Sequence, residues 1–186
     1  MRIEDYALIG DCETASLVSR EGTLDWLCWP RFDSDACFAA LLGDADNGHW
    51  TLRPSGAIQH TERSYRPDTL ILETVFTTAT GRVRLIDFMP PRTSTSDVVR
   101  VVVGESGCVP MRTELSLRFD YGASVPWVTR VAPRAWSAIA GPHRVVLPTS
   151  VDVHGENLRS VANFDVRAGE TARFALTYSA SHLPLP

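Results

Sequence analysis

Two tryptophans, a phenylalanine, an arginine, two aspartates and a proline fall within the ten residues Asp25-Trp26-Leu27-Cys28-Trp29-Pro30-Arg31-Phe32-Asp33-Ser34. Aromatic faces beside a guanidinium and carboxylates suit a sugar: C–H faces stack on the rings, and hydroxyls take charge-assisted hydrogen bonds. In an alternating strand Leu24, Trp26 and Cys28 share one face and Asp25, Leu27 and Trp29 the other, and Pro30 stops the strand from continuing as an inner one. The candidate contact surface is therefore the turn at the strand's end, with Trp29, Arg31, Phe32 and Asp33 as substrate-binding or interdomain residues. The same residues also read as a core tryptophan pair closed by an Arg31–Asp33 turn lock.

Other groups capable of chemistry fare worse. An inverting glycosidase needs an acid and a base carboxyl about 6.5–9.5 Å apart, one of them with a raised pKa. Asp11 and Glu13 would lie roughly 7 Å apart on one face of a strand. However, Asp11 follows Gly10 in a turn, where an Asx hydrogen bond to the backbone is the usual role, and Glu13 precedes an ordinary strand. No catalytic residue is assigned. Gly104-Glu105-Ser106-Gly107 brings its second glycine one residue too early for a nucleophile elbow. Cys28, between aromatics, would be a buried thiol of raised pKa and a poor nucleophile. Asp44-Ala45-Asp46-Asn47-Gly48 resembles the start of a calcium loop, but Pro54 stands where the bidentate glutamate belongs. There is no phosphate loop, no dinucleotide glycine pattern and no C-x-x-C pair among Cys12, Cys28, Cys37 and Cys108, so no cofactor and no metal is expected. The cysteines read as free buried thiols.

The elements that must position the turn are nearly all strands. Tyr6–Gly10, Thr14–Ser19 and Leu24–Trp29 open the chain, the last two joined by the turn Arg20-Glu21-Gly22-Thr23. Residues 34–43 read as one short helix, capped by Asp33 or Ser34, with Phe38, Leu41 and Leu42 on one face and Gly43 as its stop. Strands follow at His49–Arg53, Thr69–Thr78, Arg82–Phe88, Val98–Val103, Met111–Asp120, Trp127–Val131, Ala135–Ala140, Arg144–Leu147, Asn163–Arg167 and Thr171–Tyr178. About a dozen strands with frequent turns imply an all-β antiparallel sandwich. Residues 1–180 form that domain, and the Pro-punctuated run 181–186 reads as the start of a linker.

Length and composition limit the rest. A chain of 186 residues with 44% hydrophobic and 22% charged residues is large enough to bury a core of its own. All 18 basic residues are arginines, scattered along a chain of net charge −4, so no basic stripe for nucleic acid exists. No apolar run reaches a membrane-spanning length and the N-terminus has no signal-peptide core, so a cytoplasmic location is expected.

The run Ile3–Val18 followed by Gly22–Ser34 resembles the N-terminal domain of bacterial trehalase-like and glucoamylase-like proteins of glycoside hydrolase family 15. Tyr65–Leu70, Leu85–Arg92 and Leu117–Gly122 agree with that resemblance. It implies a β-sandwich of the super-sandwich type ahead of an (α/α)₆ barrel whose two glutamates hydrolyse α-glucosides, trehalose or α-glucan oligosaccharides. Those glutamates would lie beyond Pro186, so the resemblance implies an inactive isolated chain whose partner is its own C-terminal catalytic domain. An independent carbohydrate-binding module, using Trp29, Trp50 or Trp127 as a platform, is the alternative.

Overall fold

The computed structural model describes residues 2–186 as a two-sheet antiparallel structure. In chain order, β1 (Ala7–Gly10), β2 (Ala15–Val18), β3 (Thr23–Cys28), β4 (Ala36–Phe38) and β5 (His49–Pro54) belong to the first sheet. Next, β6 (Ile58–Tyr65), β7 (Leu72–Thr78) and β8 (Gly81–Phe88) form a meander in the second. The 21-residue β9 (Ser96–Ser116) runs through both. β10 (Trp127–Ala132), β11 (Ala135–Ala140) and β12 (His143–Pro148) extend the second sheet. The hairpin of β13 (His154–Glu156) and β14 (Arg159–Arg167) returns to the first, and β15 (Thr171–Ala180) closes the second.

β9 joins the layers. Its first half lies between β8 and β15, and its second half between β5 and β14. The crossing falls at Gly104 to Gly107, where neighbouring chain leaves no room for a side chain at either glycine. A Cβ on Gly104 would stand 2.0 Å from the Arg167 carbonyl oxygen, and Gly107 adopts φ +66°. The expectation of two strands, Val98–Val103 and Met111–Asp120, is thus corrected to one strand that changes sheets without ending. Pro110 does not break it, because that position keeps its register opposite Asp165 as β9 moves into the first sheet.

The core lies between the two inner faces. Leu24, Leu27, Trp50, Leu52 and Met111 from the first sheet meet Phe76, Leu85, Val102, Phe174 and Leu176 from the second, all fully or nearly fully buried. One ion pair sits inside this core. The fully buried Arg100 donates to Asp87 through Nε at 2.8 Å and to the carbonyls of Trp50 and Gly22 at 2.7 and 2.8 Å. Its guanidinium also lies 5.1 Å over the Trp50 ring. A buried charge is tolerable only when paired and hydrogen-bonded, and here every partner is backbone or carboxylate. Burial pushes the Asp87 carboxyl up, against the pull of the guanidinium.

The all-β expectation holds, but the expected helix over 34–43 does not form. That segment is β4 followed by a 3₁₀ turn at Ala40–Leu42. Tertiary pairing overrides local capping: Ala36 and Phe38 pair with Cys28 and Leu27, and Cys37 is buried in the core. A helix would have left those positions without strand partners on β3. β6, which is polar along most of its length, and the short β13 also escaped the sequence reading. Among the described residues no helix is long and apolar enough to cross a membrane.

Candidate functional site

The strand that delivers the turn is not evenly alternating. Val18 pairs with Leu24 and Leu17 with Trp26, so Asp25 bulges out of register. The bulge turns Leu24 and Leu27 both inward, and Trp26 and Cys28 onto the outer face. Asp25 accepts a 2.7 Å hydrogen bond from the Tyr6 hydroxyl, away from the turn. Burial pushes both of those groups up.

Trp29 points into the molecule. It is 1% exposed, and its indole Nε1–H donates to the Ser96 hydroxyl oxygen at 2.7 Å. Ser96 in turn donates to Asp11 Oδ2 at 2.8 Å. The same carboxylate oxygen accepts from Arg92 Nε at 3.0 Å and Nη2 at 2.9 Å. Asp11 Oδ1 accepts from the backbone N–H groups of Glu13 at 3.0 Å and Thr14 at 2.8 Å. Arg92 also donates to the Pro30 carbonyl and, at 3.1 Å, to the Glu13 carboxylate. A continuous buried network therefore fastens the base of the turn to β9 and to the segment after β8.

Above this base the turn is open. Arg31 pairs with Asp33 at 3.0 Å, and the two side chains are 66% and 73% exposed. Phe32 is 63% exposed, while its backbone N–H is fixed to the Glu13 carbonyl at 3.0 Å. Glu13, Arg31, Phe32 and Asp33 line a shallow depression of about 310 Å³. The arrangement offers an aromatic face, a donor fork and two carboxylates on one surface, a set able to grip hydroxyls or the polar rim of a neighbouring domain. Of the four candidates, Arg31, Phe32 and Asp33 share this surface, and Trp29 supports it from below.

Asp11 cannot supply acid catalysis. Its burial would raise the carboxyl, but the Thr14 and Glu13 amides, the Ser96 hydroxyl and Arg92 outweigh that and hold it below the usual carboxylate range. It is ionised and fully engaged. Cys28 and Cys37 are buried thiols pushed up by burial, whereas Cys12 is exposed and Cys108 only half-buried, against the expectation of four buried thiols. The Asp44–Gly48 loop satisfies its own backbone: Asp44 accepts from the Asp46 amide at 2.9 Å, and Asn47 Oδ1 from the Asp44 amide at 3.1 Å. Among the described residues no cluster of three potential metal ligands occurs. Sequence reasoning missed Arg92 and Ser96. The available hint was that a carboxylate fixed in a turn beside buried aromatics needs a cation, but Arg92 lies 81 residues away.

Residues 1–135 match the family described as trehalase-like, N-terminal. The chain belongs to it. This trehalase-like N-terminal domain is 47% identical over 79 residues to a trehalase of Mycolicibacterium smegmatis, covering 42% of the chain and 12% of that relative. It is 30% identical over 136 residues to a trehalase of Thermoplasma volcanium, and 31% over 128 residues to trehalase 1 of Sulfolobus acidocaldarius. In both cases 69% of the chain and 22% of the relative are covered. The chain thus spans between about one eighth and just over one fifth of the relatives' length. All the residues of the turn and its buried network fall inside the family match, and β12 to β15 fall outside it.

Proposed function

We propose that this chain is the non-catalytic N-terminal sandwich of a cytoplasmic glycoside hydrolase acting on α-glucosides, trehalose or α-glucan oligosaccharides. It packs against and shapes a C-terminal (α/α)₆ barrel that carries the catalytic glutamates. The observation that carries this reading is the trehalase-like match over the first 135 residues, to relatives whose own length is several times greater. The geometry supports the same division of labour. Asp11 and Glu13, the carboxylates whose sequence spacing suggested an acid–base pair, are both tied to Arg92, while Arg31, Phe32 and Asp33 stand exposed on a buried footing.

In this reading the Arg31–Asp33 turn meets the barrel, either walling the substrate side or stitching the two domains. Steady-state kinetics of the full-length enzyme separate those roles. Arg31→Ala or Asp33→Asn lowering kcat/KM at unchanged stability marks a substrate wall; unchanged kinetics with a lowered Tm marks a stitch. The reading as a whole fails if the purified 186-residue chain releases glucose from trehalose or maltose.

A further inference from the structure

On the outer face of the first sheet, the loop leaving β9 makes an unusual backbone turn. Asp120 and Tyr121 adopt φ +54° and +56°, and Gly122 follows at +109°. Single glycine, asparagine or aspartate residues visit this left-handed region routinely; a tyrosine directly after an aspartate does so against steric resistance. Strain of this kind survives only where the surroundings impose it, and it gathers at sites with a task. Here the surroundings do impose it. Phe119 and Ser124 exchange backbone hydrogen bonds at 2.8 and 2.9 Å, and the Ala123 amide donates to the Asp120 carbonyl at 3.0 Å. Asn47 Nδ2 holds the Tyr121 carbonyl at 3.2 Å.

The held conformation places a particular set of groups together. The Tyr121 ring, 44% exposed, lies 6.2 Å from the half-buried Trp26 ring at an interplanar angle of 43°. Beneath Trp26 the floor is made of small buried side chains, Cys28, Ala36 and Ala39. Asp35 and Asp120 are both exposed. Desolvation, then Cys28 and the Asp35 and Asp120 carboxylates, push the Tyr121 phenol up, and a phenol is in any case a hydrogen-bond donor at neutral pH. The groups come from β3, from the β3–β4 connection two residues past Asp33, and from the loop after β9, and the Arg92 network uses none of them.

We propose that Trp26 and Tyr121, with the Asp35 and Asp120 carboxylates beside Ala36 and Tyr121 in the chain, form a surface subsite for a neutral pyranose sugar that uses none of the Arg31, Phe32 and Asp33 side chains. The C–H face of the ring stacks on the exposed tyrosine, the tilted tryptophan bounds it, and the carboxylates accept from its hydroxyls while the phenol donates. The carboxylates also set specificity: a uronic acid brings its own negative charge to an acidic rim and is disfavoured.

Nuclear magnetic resonance of the ¹⁵N-labelled chain titrated with maltose tests this. A saturable shift of the Trp26 indole N–H, with Kd on the order of millimolar, is expected, while the Trp29 and Trp50 signals stay in place because their donors are already taken by Ser96 and Thr113. Glucuronate binds more weakly than glucose. Tyr121→Ala weakens maltose by about tenfold or more. Tyr121→Phe and Asp120→Asn, the second compatible with the left-handed turn, weaken it by about two- to tenfold and decide the matter if Tyr121→Ala disturbs the Trp29 and Trp50 signals. The proposal is overturned by no saturable shift, by glucuronate binding as tightly as glucose, or by variants with intact spectra that bind as the parent does. Because the measurement uses the isolated chain, its result does not depend on the role of the Arg31–Asp33 turn in hydrolysis.

Discussion

Asp11 is the residue on which the turn's footing depends. Five donors converge on its carboxylate, namely two backbone amides, the Ser96 hydroxyl and two guanidinium N–H groups, and its side chain is fully buried. Removing the cation leaves that charge buried and unpaired, so Arg92→Ala is expected to destabilise the domain by about 3 kcal/mol, read from urea unfolding. The pH dependence follows from the direction of the shift. The folded pKa of Asp11 lies below its unfolded value, so its contribution is complete above about pH 4 and disappears as pH falls through the folded value. A Tm series across that acid range should show a steeper loss for the parent than for Asp11→Asn, which starts lower and has no such proton to take up. Equal slopes would mean that Asp11 is not held as its contacts imply.

At the scale of elements, two backbone devices aim the turn. The bulge at Asp25 rotates the end of β3, so that the strand finishes with Trp29 inside and Arg31 to Asp33 outside. The hairpin before it depends on Gly22, whose φ is +83° and whose Cβ, if present, would lie 2.6 Å from the Leu52 carbonyl oxygen. Gly22→Ala is expected to cost more than about 1 kcal/mol and to broaden the β2–β3 amide signals. Gly104→Ala should be worse, about 1–3 kcal/mol or more, because the conflicting atom is backbone of the β14–β15 connection rather than a movable side chain. A Gly104→Ala chain unfolding at the same urea concentration as the parent would show that β9 does not pass so close to that connection.

For the whole molecule, β9 and the Arg100 knot make the two sheets one unit. Arg100 sits on β9 and Asp87 on β8, both in the second sheet, while the carbonyls of Gly22 and Trp50 belong to the first. Arg100→Met alone should lose about 3–5 kcal/mol, since Asp87 is left in the core without its cation, and Arg100→Met with Asp87→Leu should recover much of it. A double variant as unstable as the single one would place the value of the knot in the Gly22 and Trp50 carbonyls instead.

Much of this architecture could be read directly from residue order. Apolar alternation and closely spaced Gly, Pro and Asn turns specify many short antiparallel strands, because period-two patterning is local. The long ordered blocks around Ile3–Ser34 also placed the family. Three features could not be read in this way. The 34–43 segment carries helix caps, yet becomes strand because β3 offers it pairing partners. The Asp11–Arg92 and Asp87–Arg100 pairs were invisible because a buried charge finds its partner through space, not along the chain. Trp26, Trp29, Trp50 and Trp127 look alike in sequence, yet Trp29 and Trp50 are buried, Trp26 lies half-covered beside Tyr121, and Trp127 is 77% exposed. A strand face is specified only relative to its bulges and to the sheet it meets. Sequence alone therefore determined that this chain is a β-sandwich of a trehalase-like kind, and only the tertiary packing decided which aromatic and charged groups reach its surface together.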